Sequence, residues 1–180
     1  MGVEGAVLAP RRIDQIPDDE LELRRREVSR WRRMAAARGY PAFVFRSKVQ
    51  NAYRQTCVVC GLRFPKSSHC PVPGVDAAHI QPWSKVDLDT LANGLCLCKL
   101  HHWAFDQRLI AIRPDPSGHG YVVIVTETAA RALVADPTSL AALEAHAGPI
   151  PRGRLPAATA DWPSVALLER FYEAVRPDLE

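Results

Sequence analysis

Two pairs of cysteine and histidine residues in the sequence have the spacing of metal ligands. Cys57 and Cys60 form a C-x-x-C pair that is followed by Gly61, and Cys98 and His101 form a C-x-x-H pair. Together they offer four ligands, the number that a closed tetrahedral zinc site needs. Each pair lies where the chain reverses or a helix begins, so both of its side chains can point to one centre. The pattern predicts a structural Zn2+ site.

Alternatives to this ligand set remain open. Thiols are also common as small buried hydrophobic groups. Cys96 is in phase with Cys98 along a predicted strand and is therefore a rival ligand, and Cys70 could replace one ligand if its loop folds back. The chain has five cysteines, an odd number, and no secretory signal is recognisable. We therefore expect metal binding rather than disulfides, and a cytoplasmic location.

A second group of polar residues follows a strand, a turn and a helix. His79 ends a predicted strand, Asn93 precedes a glycine in a turn, and His102 lies in the next predicted helix. Each has an ordinary structural explanation, such as a hydrogen-bonded histidine or an Asn-Gly turn. His101 and His102 are adjacent, and successive helical residues are turned by about 100°. They are therefore expected to serve two different sites.

The hydrophobic pattern predicts an α+β chain. Predicted helices cover residues 17–39, 43–54, 99–109, 127–146 with an interruption at Pro137, and 164–175. Predicted strands cover residues 75–80 and 95–98, and a hairpin joins residues 109–115 to 120–127. We expect three regions: an arginine-rich tail and helix (1–40), a core (41–126) and a helical extension packed on it (127–180).

Composition and charge narrow the class of protein. The hydrophobic fraction of 47% is that of a globular protein, and no apolar run approaches the length of a membrane span, about 20 residues. The net charge is only +3, yet eight arginines lie between residues 11 and 33. These arginines form either a solvated helix face or a surface that contacts phosphates. The DNA-contact candidates are Arg24, Arg25, Arg26, Arg32 and Arg33.

The stretch AAHIQPWS, followed by NGLCLCKLHHWAFDQRLIAI, resembles the HNH endonuclease family. It is most similar to the subgroup found in bacterial restriction and modified-DNA-cleaving nucleases, in which these motifs recur in the same order. FRSKVQNAY also matches the lead-in helix of that subgroup. The similarity is strong over residues 43–113 and weaker to about 175. It implies a ββα-metal (His-Me finger) core with a structural zinc site, flanked by N- and C-terminal helices.

The resemblance also implies roles for the second group of residues. His79 would be the general base that takes a proton from water, which suits a neutral imidazole. Asn93 would fix the loop between the strands and so orient the base. His102 would bind the catalytic divalent ion, Mg2+, Mn2+ or another. The expected activity is metal-dependent hydrolysis of DNA phosphodiester bonds, in restriction or host defence and with modified DNA as one substrate class.

Other functions remain open at this stage. A non-catalytic zinc module that binds nucleic acid or a protein would need the zinc ligands but not His79. A mobile-element nuclease would share the chemistry and differ in its DNA target. Nucleases of this size often act as dimers to cut both strands, so a homodimer is also an open alternative.

Two positions depart from the pattern of the subgroup. Many members carry a carboxylate or histidine before the first motif histidine as a second metal ligand, and this chain has Ala78 there. Asp76 lies two positions earlier and therefore on the same strand face, so we expect it to supply the carboxylate, directly or through water. A solvent-facing or turn-capping aspartate is the alternative. Arg108 replaces a frequent glycine and is expected to affect only the helix end.

Overall fold

A computed structural model describes residues 42–82, 88–118 and 120–175, together with residues 22 and 26. The chain divides into two compact units, residues 1–40 and 41–180. In the first unit, Glu22 and Arg26 are helical and form an ion pair with an N–O distance of 3.2 Å. The other arginines of the predicted helix lie outside the described residues. The three-region division stays a prediction.

The first helix of the second unit, α1, covers residues 42–52 and was predicted over 43–54. Phe45, Val49 and Tyr53 recur every four residues and are buried, because this spacing places side chains on one helical face. Two polar groups fasten the helix to the strands that follow. Gln50 Nε2 donates to Val75 O at 2.8 Å, and the Tyr53 hydroxyl donates to Gly94 O at 3.2 Å.

The centre of the second unit is a strand pair followed by a helix. Strands β1 (Val75–His79) and β2 (Gly94–Cys98) are antiparallel. In their register, Val75 lies opposite Cys98 and His79 lies opposite Gly94. Helix α2 (Lys99–Asp106) begins directly after β2 and packs on the pair. This ββα arrangement within a mixed helix-and-sheet fold confirms the predicted fold class.

The predicted Asn-Gly turn before β2 is wrong. Leu91–Asn93 form a 3-10 helix, and Gly94 is extended, with φ −115° and ψ 136°, rather than left-handed. Gly94 is needed for close packing instead. A β-carbon at this position would lie 2.5 Å from Cγ2 of Val49 and 3.3 Å from the Phe45 ring. Glycine therefore lets α1 approach the start of β2.

The remaining elements form a second sheet and its helices. The sheet has the order β3-β4-β5, and its strands are Ile110–Pro114, Tyr121–Val125 and Gly148–Pro149. The helices are α3 (Glu127–Ala132), α4 (Pro137–Glu144) and α5 (Val165–Val175), with 3-10 helices at Arg152–Arg154 and Thr159–Asp161. No helix in the described part of the chain is long and apolar enough to cross a membrane.

Two contacts show how the C-terminal elements are joined to the centre and to each other. Helix α5 packs on β3, and the rings of Phe105 in α2 and Phe171 in α5 stack with centroids 4.1 Å apart. The predicted interruption at Pro137 is present, because α3 ends at Ala132 and Pro137 begins α4. Asp136 accepts a hydrogen bond from Ser139 N as the N-cap, and proline suits the first helical turn.

The end of α2 shows the effect of arginine at position 108. Arg108 has φ +61°, in the left-handed region that favours glycine. Its amide donates to Phe105 O at 2.9 Å, and the next amide, of Leu109, donates to Ala104 O at 2.8 Å. These bonds close the helix in the manner of a left-handed C-terminal cap. The Arg108 side chain donates to Ala174 O of α5 at 3.0 Å, and this hydrogen bond offsets part of the cost of the positive φ.

We predict that Arg108→Gly is more stable than Arg108→Ala by about 1 kcal/mol, because only alanine keeps the strained positive φ. Both variants lose the bond to Ala174, so the difference between them isolates the backbone effect. The measurement is the free energy of unfolding by urea. Equal stabilities would show that the helix end relaxes away from the left-handed conformation.

Candidate metal centre and active site

A tight turn presents the first two cysteines of the metal pattern. The amide of Gly61 donates to Cys57 O at 2.8 Å, and the Cys57 amide donates to Leu62 O at 2.9 Å. Gly61 has φ +76°, a conformation that glycine adopts without strain. The amide of Val58 donates to Cys96 O at 2.9 Å and so attaches the turn to β2. We call residues 57–61 the cysteine turn.

The cysteine turn and the start of α2 bring four ligand atoms together. The sulfurs of Cys57, Cys60 and Cys98 and a ring nitrogen of His101 all lie within 4.8 Å of one another. Nδ1 of His101 lies 3.1 Å from Sγ of Cys98, and the Cys60 and Cys98 sulfurs are 3.9 Å apart. Tetrahedral Zn2+ with Zn–S bonds of about 2.3 Å places its sulfurs about 3.8 Å apart. The cluster therefore fits a zinc ion.

The three thiols of the cluster are coupled through hydrogen bonds. Those from Cys60 and Cys98 hold the pKa of the Cys57 thiol well below its usual range and favour the thiolate that binds metal, whereas those from Cys57 and Cys98 raise the pKa of Cys60. Because Nδ1 of His101 faces the sulfurs, its Nε2 points away, and this buried atom has no hydrogen-bond partner among the described residues. The ring of His146 lies edge-on to the ring of His101, with centroids 5.1 Å apart.

The two other cysteines lie outside the cluster. Cys96 is fully buried in β2, and burial raises the pKa of its thiol to about 12, so it remains a neutral core group. Cys70 is exposed, and its thiol donates to Val72 O at 3.2 Å. The structure therefore does not bring the two rival ligands to the centre.

Two arginines join the cysteine turn to the C-terminal region, a link that the sequence did not indicate. Arg154 donates from Nη1 to Val59 O at 2.5 Å, inside the turn. In the opposite direction, Arg54 donates to Gly153 O and, at 3.0 Å, to Leu155 O. Each guanidinium satisfies backbone carbonyls that would otherwise lack a partner at the turn and at a 3-10 helix.

His79 lies at the end of β1 between an aromatic ring and a carboxylate. Its ring stacks on that of Phe45 from α1, with centroids 3.9 Å apart and an interplanar angle of 13°. Its Nε2 lies 2.7 Å from Oδ1 of Asp89. The two side chains are only 16% and 20% exposed. Sequence reasoning missed Asp89, because an aspartate in a loop of varied composition has no spacing that marks it.

Asn93 is fully buried, and its amide closes the loop between the strands. Oδ1 accepts from the amide of Gln81 at 2.9 Å. Nδ2 donates to Gln81 O at 3.1 Å and to Leu88 O at 2.9 Å. One side chain thus ties the two ends of the loop to each other. These hydrogen bonds are compatible with the loop-fixing role expected from the resemblance, which stays a prediction.

His102 lies in the first turn of α2 and faces β1. Its Nδ1 is 3.4 Å from Oδ2 of Asp76, and its Nε2 is 3.5 Å from Oδ2 of Asp106. The Lys99 ammonium also lies on Asp76, at 2.5 Å. Burial raises the pKa of Asp76, but the hydrogen bond and charge of Lys99, helped by His102, more than offset this and lower it. Asp76 is therefore an ionised carboxylate that is paired with the Lys99 ammonium.

The adjacent histidines do face different surroundings. His101 is buried beside the sulfurs, whereas the His102 side chain is 27% exposed beside the two carboxylates. Within the described residues, the cysteine and histidine cluster is the one group that gathers three or more ligand atoms. His79 and its aspartate form a separate pair from His102 and Asp76.

Comparisons with known proteins agree with this arrangement. The ββα core and the Cys3His cluster have the fold class that the sequence resemblance predicts. Residues 57–113 match the sequence model of a family described as HNH endonuclease, which confirms the predicted resemblance over this segment. No curated protein matches the chain.

One similar solved structure is described as a modification dependent TagI restriction endonuclease. It has a TM-score of 0.49 and 20% sequence identity, and the match covers 74% of this chain. The chain spans 38% of the length of that enzyme.

We predict that the purified protein holds one zinc ion per chain by elemental analysis. Cys57→Ala and His101→Ala should each abolish zinc binding and lower the melting temperature, because structural zinc contributes folding free energy. Cys70→Ser and Cys96→Ala are the matched controls, and both should keep the ion. Retention of zinc by Cys57→Ala, or its loss from Cys70→Ser, would contradict the ligand set.

Proposed function

We propose that this protein is a metal-dependent DNA endonuclease that hydrolyses phosphodiester bonds. The observation that carries the proposal is the geometry around α2 and β1: one histidine of the adjacent pair lies in the zinc cluster and the other faces Asp76. The match of residues 57–113 to the HNH endonuclease family supports it. The non-catalytic zinc module requires the cysteine and histidine cluster alone, whereas the proposed nuclease also uses the polar residues around His102.

His79 is the proposed general base. Its ring is fixed by Phe45 and Asp89, yet its side chain keeps 16% exposure, so a water molecule can reach it. The imidazole takes the proton of a water that attacks the phosphorus, and the bond to the 3′ oxygen breaks. The products are 5′-phosphate and 3′-hydroxyl ends.

The catalytic divalent ion is proposed to bind at His102 and Asp76. One imidazole nitrogen and one carboxylate, both partly exposed, suit an ion such as Mg2+ or Mn2+ that keeps several waters and also binds phosphate. When bound, the ion would neutralise charge on a phosphate oxygen and on the leaving 3′ oxygen. The pKa of Asp76, lowered against the effect of burial by the Lys99 ammonium, supports an ionised carboxylate at this position.

The biological role that we propose is restriction or host defence, with modified DNA as one substrate class. The support is the order of the sequence motifs, which resembles the restriction subgroup. Arg24, Arg25, Arg26, Arg32 and Arg33 are proposed to add phosphate contacts, whose strength falls with salt concentration. A homodimer would allow both DNA strands to be cut. A mobile-element nuclease is the alternative biological role, and it would differ from a restriction nuclease only in its DNA target.

The decisive test is nicking of supercoiled plasmid DNA, unmodified and with modified cytosines, in Mg2+ or Mn2+. We predict that His79→Ala and His102→Ala each lower the rate by about 100-fold or more, because they remove the base and a metal ligand. Both variants should keep zinc and the parent melting temperature. His69→Ala, a change at an exposed histidine outside the site, is the control and should cut like the parent.

Three results would each contradict one part of the proposal. Cleavage that survives His79→Ala would exclude the assigned base. Loss of zinc from His102→Ala would remove the division between the adjacent histidines. A parent protein that holds zinc and binds DNA, but cuts none of the substrates, would favour the non-catalytic zinc module.

Asp76 has a separate test. We predict that Asp76→Asn raises the Mg2+ concentration for half-maximal nicking by about 10-fold or more, because a neutral amide binds the ion more weakly than a carboxylate. Glu127→Gln, which neutralises an exposed carboxylate on α3, is the matched control. An unchanged Mg2+ dependence in Asp76→Asn would leave that aspartate as the partner of Lys99 alone.

A further inference from the structure

We infer that Asp89 is the positioning residue of His79: its carboxylate holds the imidazole in one tautomer and one orientation, with Nδ1 free to take a proton from water. The inference rests on the proposed function, since it names the group through which the base is oriented. A carboxylate can only accept a hydrogen bond, so the contact of 2.7 Å requires that Nε2 of His79 carries the hydrogen. In the neutral imidazole the other nitrogen, Nδ1, is then the unprotonated one.

Two contacts are needed to fix an imidazole, and both are present. Stacking on Phe45 fixes the plane of the His79 ring. Stacking alone leaves a twofold ambiguity, because rotation of the ring by 180° exchanges the two edges at little cost. The hydrogen bond to Asp89 removes this ambiguity, since only one ring orientation places Nε2 against Oδ1.

The position of Asp89 depends on Asn93. Nδ2 of Asn93 donates to the carbonyl of Leu88, the residue directly before Asp89. The same amide group holds Gln81, two residues after His79, through two further hydrogen bonds. Asn93 therefore sets the separation between the strand end that carries the histidine and the loop residue that carries the carboxylate. In this way the asparagine orients the base without touching it.

The low exposure of the pair distinguishes it from an ordinary surface ion pair. With side chains 16% and 20% exposed, both groups are largely removed from water, which strengthens a hydrogen bond to a charged acceptor. An exposed ion pair stabilises its geometry only weakly and would therefore restrict the orientation of the imidazole ring little. The contact between Asp89 and His79 is thus able to select one tautomer.

The experiment compares Asp89→Asn and Asp89→Glu with the parent protein in single-turnover and steady-state nicking of plasmid DNA. By analogy with carboxylate partners of metal-ligating histidines, we expect Asp89→Asn to lower kcat by about 10- to 100-fold, with KM for DNA nearly unchanged. Asp89→Glu, which keeps a carboxylate, should recover most of the rate. Asp136→Asn, at a helix N-cap that asparagine serves equally well, should match the parent.

A second readout does not depend on activity. In 15N-labelled protein at an alkaline pH, where free imidazole is neutral, the His79 resonances should show one tautomer, with hydrogen on Nε2. In Asp89→Asn the amide can donate as well as accept, so we expect a mixture of tautomers. Zinc content and melting temperature should stay at the parent values, which separates loss of positioning from unfolding.

The outcomes are distinguishable. If the parent cuts DNA and Asp89→Asn cuts equally fast, or if His79 already shows mixed tautomers in the parent, the positioning role fails and the nuclease function stands. If the parent holds His79 in one tautomer but cuts no DNA, the nuclease function fails, and the pair is only a structural contact. A lower kcat that glutamate restores, with the tautomer change in Asp89→Asn, supports the inference.

Discussion

The structure depends most on how the first turn of α2 is held. Cys98 ends β2 and His101 lies three residues later, and both side chains face the cysteine turn. A metal bound there would fix a strand, a helix and a turn relative to each other. Because successive helical residues differ by about 100°, fixing His101 also directs His102 away from the cluster and toward β1. The zinc centre and the candidate active site are therefore two results of one constraint.

The C-terminal region contributes to the same geometry. The amide of Ser164 donates to Ala92 O at 2.8 Å, next to Asn93, and the side chain of Gln81 donates to Leu167 O of α5 at 3.2 Å. These bonds support the loop ends that Asn93 joins. Arg54 and Arg154 support the cysteine turn from the same part of the chain. Residues that lie far beyond the matched family segment thus hold both clusters in place.

The sequence predicted what depends on residue type and spacing. The zinc ligands, the ββα order and the second hairpin follow from short-range patterns, and the structure has these elements. The sequence did not reveal Asp89, Arg54 or Arg154, because their roles depend on contacts between segments that are distant in sequence. Gly94 was assigned to a turn for a related reason: the Asn-Gly pair is locally typical of a turn, whereas packing against Val49 requires the absence of a side chain.

The strand register gives a physical reason for the proposal that Asp76 takes the place of a carboxylate at position 78. Ala78 lies opposite Leu95 and is buried, so a carboxylate there would need a partner in the core. Asp76 lies opposite Leu97, one residue before Cys98 and close to the start of α2. At that position a carboxylate on the same strand face remains partly exposed and reaches both Lys99 and His102. A carboxylate at position 76 therefore lies on the same strand face as position 78, costs less to bury and lies beside the helix that carries the other proposed metal ligand.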